Sequence, residues 1–178
     1  MILLARHGQT AYNAEGRFQG HLPVPLNALG REQAAALADA SAPLGIAELW
    51  CSPLARARET ADAVAQRIGL DPREDARFAE TDCGAWTDRW FADVQQEDPD
   101  AFARFAAGDP DFGFPGGESF AGQTERVAAG VAALRARDAS PVLVVCHGVT
   151  IRLALAHATG TDPRAVSPVG NAEVVELP

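Results

Sequence analysis

Lysine is absent from this chain of 178 residues, and all 15 of its basic side chains are arginines. The absence excludes chemistry that needs a lysine amine, such as a Schiff base or the phosphate-binding lysine of a P-loop. Cysteine is also scarce, because Cys51, Cys83 and Cys146 are the three present and no CxxC pair occurs. We therefore expect neither a disulfide framework nor a structural zinc site.

An excess of positive charge and a long apolar run are missing as well. The formal net charge is −9 and the isoelectric point is about 4.8, which argues against nucleic acid as a partner, since such proteins present a basic face. No apolar run approaches membrane-spanning length, and Arg6 follows the apolar start too soon for a signal peptide. The sequence therefore favours a cytoplasmic protein with no membrane contact.

Hydrophobic residues make up 47% of the chain and are arranged as alternating strands and helices. This pattern predicts a single-domain α/β three-layer sandwich with a mostly parallel central sheet. We expect strands at 2–5, 46–51, 75–78, 141–146 and 173–177. We expect helices after an N-cap at Asn27, from an N-cap at Ser52 to a stop at Gly69, at 118–137 and at 150–157.

Polar side chains follow three of these strands. Arg6 and His7 end the first strand, Ser52 and Arg56 follow the second, and His147 follows the strand at 141–146. In open α/β sheets ligands gather beyond the carboxyl ends of the strands. Arginine donates paired hydrogen bonds to phosphate oxygens, and a neutral imidazole can attack phosphorus. The pattern therefore indicates an anion site with a nucleophile, whereas a solvated loop is the alternative for Arg6 and His7.

Residues 85–117 differ in composition from the rest of the chain. The aromatic residues of this region are Trp86, Trp90, Phe91, Phe102, Phe105, Phe112 and Phe114. The stretch 87–111 also holds seven acids against two arginines. The segment is too long for a plain connection, so we interpret it as a cap over the site, with a satellite hydrophobic cluster as the alternative. An acidic, aromatic cap would repel a polyanionic leaving group and would favour a neutral or apolar one.

Five blocks of sequence carry a resemblance to a known family. They are RHGQTAYN with GRFQG (6–20), SPLARARET (52–60), FAETDCGAW (78–86), FPGGES (114–119) and VVCHGVTIRLAL (144–155). A lone RHG tripeptide would be weak evidence for a family, but these blocks occur in the order in which the family has them and span most of the chain. The sequence resembles the histidine phosphatase superfamily, which implies the phosphoglycerate mutase-like fold.

The resemblance implies a role for each matched residue. His7 would be the nucleophile that forms a phosphohistidine, and Glu80 the proton donor to the leaving oxygen. The groups implied to surround the phosphate are Arg6, Arg56, His147, Asn13, Gln19 and the backbone N–H of Gly148. No metal ion or other cofactor is implied. We expect His7 to be neutral and His147 to be cationic when phosphate is bound.

The identity of the acid stays open, because its block reads Trp86-Thr87-Asp88 where the family has Trp-Glu-Gly. Asp82 and Glu118 are the alternatives to Glu80. His21 is expected at the rim of the pocket and His157 on a helix surface.

Mutases of this family are usually longer and carry basic residues before the last histidine, where this chain is short and acidic. The sequence therefore favours a phosphomonoesterase that acts on a small phosphorylated metabolite, in the branch that resembles α-ribazole phosphatases and broad-specificity phosphatases. Mutase-type phosphoryl transfer and a non-catalytic phosphate-binding regulatory module are the alternatives.

Overall fold

The computed structural model describes all 178 residues. Its centre is a five-stranded sheet in the order β3-β2-β4-β1-β5, in which β5 alone runs antiparallel to its neighbour. The strands are β1 (Ile2–Arg6), β2 (Glu48–Cys51), β3 (Arg73–Glu74), β4 (Val142–Cys146) and β5 (Val174–Leu177). The predicted α/β class with a mostly parallel sheet is confirmed.

Seven α-helices connect and cover these strands. They are α1 (Ala11–Glu15), α2 (Ala28–Ser41), α3 (Ala55–Ile68), α4 (Phe91–Glu97), α5 (Pro99–Ala107), α6 (Phe120–Arg135) and α7 (Gly148–Thr159). Short 3₁₀ turns occur at Ala42–Leu44, Ala76–Phe78, Gly84–Trp86 and Pro163–Ala165. None of the helices combines the length and apolar character that crossing a membrane requires.

The sheet lies between two helical layers, because successive residues of a strand face opposite sides. Leu3 and Ala5 of β1 pack in a buried cluster with side chains of α2 and α3. Ile2 and Leu4 pack in a second cluster with side chains of α6 and α7. The structure is therefore the three-layer sandwich that the sequence predicts. Cys51 and Cys146 belong to these two cores.

Two local predictions near the sheet are wrong. Residues 75–78 are not a strand, because β3 ends at Glu74 and the side chain of Asp75 accepts the Arg77 N–H to start a 3₁₀ turn. Ser52 is not the N-cap of α3, which begins at Ala55 after Leu54. The Ser52 hydroxyl instead lies 2.7 Å from Nε2 of His147. The N-cap at Asn27 and the stop at Gly69 are confirmed.

Residues 85–117 fold into α4, α5 and irregular chain around an aromatic cluster. Phe18 lies near the middle of this cluster, with its ring centroid 4.4 Å from Phe91 and 5.1 Å from both Trp86 and Phe105. The backbone of Arg17 forms an antiparallel bridge with Trp90. The segment is therefore fastened to the loop that follows α1, beside the carboxyl end of β1.

Candidate active site

The register of the sheet brings three polar residues to one edge. Arg6 pairs with Cys146 across β1 and β4, so that His7 and His147 follow directly on neighbouring strands. The His7 N–H donates to the Cys146 carbonyl oxygen at 3.0 Å, and the two imidazole centroids are 5.1 Å apart. Ser52 follows β2, whose last residue pairs with β4, and thus reaches the same edge.

The partners of His7 fix its tautomer. Nδ1 lies 2.6 Å from the carbonyl oxygen of Gly8, which can only accept, so Nδ1 carries the proton. Nε2 lies 3.3 Å from Nε of Arg56, which can only donate, so Nε2 carries the lone pair. Burial, together with the charges of Arg56 and Arg6, lowers the pKa of His7 well below its ordinary value of 6.5. His7 is therefore a neutral imidazole with a defined nucleophilic nitrogen.

Arg56 is a buried cation held by the first turn of α3. Its side chain donates to the carbonyl oxygens of Gly20 at 3.0 Å and Leu22 at 3.3 Å. Burial lowers its pKa to about 10, so the guanidinium stays charged at neutral pH. A rigid, poorly hydrated cation beside the His7 lone pair can bind an anion strongly.

Arg6 lies against the start of α7. Its Nη1 donates to the Val169 carbonyl oxygen at 2.8 Å, and a Cβ added to Gly148 would lie 3.4 Å from its Nε. Three buried side-chain nitrogen atoms in the protein have no hydrogen-bond partner, namely Nε of Arg6, Nε of Arg17 and Nδ1 of His147. Of these, the unpaired Nε–H of Arg6 lies beside Gly148 at the N-terminus of α7, and an unpaired donor at a helix N-terminus is typical of an anion site.

His147 is fully buried behind the His7 ring. Arg6, His7 and Arg56 line a common cavity, whereas His147 does not. Burial, and then the charge of Arg56, lowers the pKa of His147 well below its ordinary value. In the protein alone its imidazole is therefore neutral. A bound phosphate dianion acts in the opposite direction, and the cationic His147 expected with phosphate stays a prediction.

Glu80 faces the same cavity from the loop after the 3₁₀ turn at Ala76–Phe78. Its Oε1 accepts the Thr81 N–H at 3.0 Å and lies 3.4 Å from Nε2 of Gln123. Its Oε2 accepts the Val149 N–H, in the first turn of α7, at 3.4 Å. The carboxyl group is thus held beside the same helix terminus that contacts Arg6.

The two alternative acids lie elsewhere. Asp82 accepts the Gly84 N–H, and Glu118 forms a two-point ion pair with Arg126. Both line a separate, neighbouring cavity that also contains the exposed His21. The geometry therefore favours Glu80 over Asp82 and Glu118. His21 lies beside the Glu80 backbone, which its Nε2 contacts at 2.7 Å, and His157 is exposed on α7.

Asn13 and Gln19 bring amide groups to the cavity. Oδ1 of Asn13 accepts the Thr10 N–H at 3.1 Å, and Oε1 of Gln19 accepts the Thr10 hydroxyl at 2.9 Å. Because Thr10 holds both amide oxygens, the amide N–H groups are left to donate toward a ligand. Both residues line the main cavity, and the phosphate contacts that the family resemblance implies for them stay a prediction.

The main cavity has a volume of about 220 Å³. One end is polar, with Arg6, His7, Arg56 and Glu80, and Gly148 at the wall. The rest of the wall includes the rings of Phe91, Phe105 and Phe114 and the side chains of Arg17 and Arg152. The cavity thus combines a candidate anion site with aromatic side chains and two further arginines.

The acids of residues 87–111 do not give the cavity the acidic wall that the interpretation of an acidic cap assumed. None of the seven acids between residues 87 and 111 lines the cavity. All except Asp109 are exposed to solvent, and Asp109 pairs with Arg104. Composition could not show which way these side chains point. The inference that an acidic cap repels anionic leaving groups therefore loses its basis.

The backbone of Gly8 is not in the left-handed region where glycine is favoured. Its lack of a side chain serves packing, because a Cβ at Gly8 would lie 2.3 Å from the carbonyl oxygen of Gly30 in α2. The Gly8 N–H donates to the Thr60 hydroxyl at 3.0 Å. The segment after His7 is thus clamped between α2 and α3.

The profile of the histidine phosphatase superfamily (branch 1) matches residues 2–177, almost the whole chain. The chain belongs to the histidine phosphatase superfamily. Its cavity contains no group of three or more His, Cys, Asp or Glu side chains that could hold a metal ion. Chemistry without a metal stays a prediction for this member of the superfamily.

Relatives within the superfamily have names from two activities. A Salmonella paratyphi B protein named "Probable phosphoglycerate mutase GpmB" is 35% identical over 151 residues, which are 84% of this chain and 70% of that protein. The mycobacterial glucosyl-3-phosphoglycerate phosphatase, in a structure with VO3, superposes with a TM-score of 0.90 at 33% identity, over 97% of this chain and 88% of that one. A candidate alpha-ribazole-5'-P phosphatase of Escherichia coli superposes with a TM-score of 0.85 at 29% identity, over 97% of this chain and 87% of that one.

Three residues of this histidine phosphatase site, Asn171, Gln123 and Thr150, escaped the sequence analysis, and Ser52 has a contact there that its predicted role as an N-cap did not include. Ser52 bonds His147, and the Asn171 amide donates to the His7 carbonyl oxygen at 3.0 Å and lies 3.4 Å from Oδ1 of Asn13. Gln123 and Thr150 both lie 3.4 Å from Oε1 of Glu80. Apart from Ser52 and Thr150, which stand within matched blocks, no motif marks these residues, since tertiary packing alone brings them to the site.

Proposed function

We propose that this protein is a phosphomonoesterase that transfers the phosphoryl group of a small phosphorylated metabolite to His7 and then to water. The observation that carries the proposal is the neutral His7, whose partners leave the lone pair on Nε2 beside the buried Arg56 guanidinium. Glu80 faces the same cavity and supplies the acid. We further propose that residues 85–117 are the cap of one catalytic domain.

In the first step Arg6, Arg56 and the N–H of Gly148 bind the phosphate oxygens, and Nε2 of His7 attacks phosphorus. The bond from phosphorus to the ester oxygen breaks, and the carboxyl group of Glu80 gives its proton to that oxygen, so that an alcohol leaves. Nδ1–H of His7 stays on the Gly8 carbonyl oxygen. This contact stabilises the positive charge that develops on the imidazole ring.

In the second step the carboxylate of Glu80 takes a proton from water, whose oxygen attacks phosphorus. The bond between phosphorus and Nε2 of His7 breaks, and its electron pair returns to the ring. Inorganic phosphate leaves, and both His7 and Glu80 regain their starting forms. No electrons are exchanged with any other group, so the cycle needs no redox partner.

Mutase-type transfer is the second candidate, favoured by the 35% identity to the Salmonella protein. The phosphatase is preferred because the superposed mycobacterial and Escherichia coli proteins are named as phosphatases and match 97% of this chain. A non-catalytic phosphate-binding module is disfavoured, because nucleophile, acid and cations are all present on one cavity.

The test measures phosphate release from p-nitrophenyl phosphate, interconversion of phosphoglycerates, and covalent labelling by a radiolabelled phosphate ester. We expect phosphate release and an acid-labile label that His7→Ala abolishes and the exposed control His157→Ala preserves. Labelling that survives in His7→Ala would contradict the assigned nucleophile. Efficient phosphoglycerate interconversion without release of phosphate would establish the mutase instead.

A further inference from the structure

His21 takes part in no step of the proposed mechanism, yet it contacts the residue that supplies the acid. Its Nε2 donates to the Glu80 carbonyl oxygen at 2.7 Å, since that oxygen can only accept. The Arg126 guanidinium donates to the same oxygen at 3.1 Å. The contacts of the Glu80 carboxyl group measure 3.0 to 3.4 Å. The hydrogen bond from His21 is therefore the shortest that the proposed acid makes.

The segment that carries His21 is held by the site itself. The carbonyl oxygens of its two neighbours, Gly20 and Leu22, accept from the guanidinium of the buried Arg56 at 3.0 and 3.3 Å. Gly20 has a φ of +48°, and a Cβ there would lie 3.2 Å from the backbone nitrogen of Cys83. The turn is thus packed closely against the loop that carries the proposed acid. The imidazole extends from a support that is fixed on both sides.

Glu80 itself lies outside any helix or strand, in irregular chain between two 3₁₀ turns. Its side chain is held by one contact of 3.0 Å, from the Thr81 N–H, and by three of 3.4 Å. Because hydrogen bonds of that length are weak, the place of the carboxyl group depends on its backbone. Two donors fix the Glu80 carbonyl oxygen, Arg126 from α6 and His21 from the loop that holds Arg56.

We propose that His21 is a positioning residue, which fixes the carboxyl group of Glu80 relative to the phosphate that Arg56 is proposed to bind. This inference rests on the proposed phosphomonoesterase function, in which Glu80 protonates the leaving oxygen. Hydrogen bonds connect Arg56 through residues 20–22 to the Glu80 carbonyl oxygen, and so join the cation to the acid. An acid displaced by about 1 Å would transfer its proton less well, because proton transfer depends on close geometry.

The rival interpretation is that His21 only lines the neighbouring cavity, which it shares with Asp82, Glu118 and Arg126. In that role the imidazole would be an exposed surface group, and Arg126 would suffice to hold the Glu80 backbone. Loss of the imidazole would then leave catalysis unchanged or affect all esters alike. A positioning role predicts instead a loss confined to esters whose leaving oxygen needs a proton.

The experiment measures kcat/KM of the whole protein for an alkyl phosphate, whose leaving oxygen needs a proton, and for p-nitrophenyl phosphate, whose leaving group does not. The variants are His21→Leu, which removes the donor, and His21→Gln, whose amide nitrogen can take the position of Nε2. The exposed His157→Leu is the control.

We expect His21→Leu to lower kcat/KM about fivefold for the alkyl phosphate and less than about twofold for p-nitrophenyl phosphate. His21→Gln should restore the alkyl phosphate value to within about twofold of wild type, and His157→Leu should change neither value. Activity with p-nitrophenyl phosphate also shows that each variant is folded.

Glu80→Gln shows what complete loss of the acid does to the same two esters. We expect a larger loss that is again selective for the alkyl phosphate. Adding His21→Leu to Glu80→Gln should cause no further selective loss, because both changes act through one carboxyl group.

An unchanged ratio of the two kcat/KM values in His21→Leu, an equal loss with both esters, or no rescue by His21→Gln would overturn the positioning role. A further selective loss in the double variant would overturn it as well. Failure of wild type to release phosphate from either ester, or a Glu80→Gln variant without selectivity, would instead reject the proposed function. The two failures are therefore distinguishable.

Discussion

At the scale of single residues, the central feature is a histidine whose neutral form is fixed by two partners. The Gly8 carbonyl oxygen can only accept and the Arg56 guanidinium can only donate. A histidine with these partners cannot hold two protons without losing the contact with Arg56. The guanidinium that we propose to bind phosphate therefore also keeps Nε2 of His7, the proposed nucleophile, unprotonated.

Replacement of Arg56 should show how far its contact with His7 and its proposed binding of phosphate depend on the shape of the guanidinium rather than on its charge. Arg56→Lys keeps the charge but loses the donors to His7, Gly20 and Leu22. We expect kcat/KM for p-nitrophenyl phosphate to fall about a hundredfold or more. Arg58→Lys is the matched control, since Arg58 on the same helix is exposed and pairs with Glu74. Full activity in Arg56→Lys would show that charge alone suffices.

The two buried histidines also predict a dependence of stability on pH. Burial lowers the pKa values of His7 and His147 below 6.5, whereas in the unfolded chain each titrates near 6.5. Below that pH the unfolded state binds protons that the folded state does not. The free energy of unfolding should therefore decrease as the pH is lowered below about 6.5, by up to about 1.4 kcal/mol per pH unit for each histidine.

Urea unfolding from about pH 7 to about pH 5 measures this slope. His147→Asn and His7→Gln should each make it shallower, although either change can lower stability at all pH values. The exposed His157→Ala should leave the slope unchanged. An identical slope in all variants would contradict burial of neutral imidazoles.

At the scale of elements, α6 and the start of α7 hold Glu80 in place. Arg126 of α6 donates to the carbonyl oxygens of Arg77, Ala79 and Glu80 and is itself paired with Glu118. Gln123, one turn earlier, is fully buried. Its amide oxygen accepts the hydroxyl of Thr81 and its Nε2 contacts Glu80. The proposed acid is thus positioned by a helix that carries none of its chemistry.

Gln123→Leu tests this positioning, because it keeps most of the volume but removes the amide. We expect kcat for an alkyl phosphate, whose leaving oxygen needs a proton, to fall by about tenfold. The rate with p-nitrophenyl phosphate should fall less, since p-nitrophenolate leaves without a proton. Thr124→Ala on the same helix should change neither rate. An equal loss with both esters would indicate general misfolding rather than misplacement of Glu80.

The elements also show how far the sequence alone could lead. The strands at β1, β2 and β4 were predictable, because short apolar runs followed by polar residues are typical of strands in a covered sheet, and the run at β4 is also rich in valine. The matched motifs gave Arg6, His7 and Arg56. The role of Ser52 was wrong, because its hydroxyl bonds His147 across two strands rather than capping α3. The location of the seven acids of residues 87–111 relative to the cavity was misjudged, because composition does not specify which way a side chain points.

At the scale of the whole molecule, charge is divided between surface and cavity. The chain has a net charge of −9, yet four arginines and a single carboxylate line the main cavity. A negative net charge disfavours polyanions such as nucleic acids as partners, and the absence of a nucleic-acid partner stays a prediction. The positive charge of the cavity lining thus contrasts with the negative net charge of the whole chain.

The same arrangement predicts the effect of metal removal. In the proposed mechanism arginines and a neutral imidazole supply the charge and the nucleophile, and no group of three potential metal ligands exists in the chain. Activity with p-nitrophenyl phosphate should therefore be unchanged, within about twofold, after dialysis against EDTA and into metal-free buffer. Loss of activity that Mg²⁺ or Zn²⁺ restores would contradict this prediction. A metal-dependent phosphatase treated in parallel checks that the chelation was complete.

The position of β1 in the sheet has a consequence for the order of events in folding. His7 follows β1, which lies between β4 and β5, and Asn171, 164 positions away in sequence, contacts the His7 carbonyl oxygen. A chain in which β4 and β5 have not yet docked against β1 therefore lacks the surroundings of the proposed nucleophile. Because contacts of such long sequence separation form slowly, we expect the candidate active site to be completed late in folding.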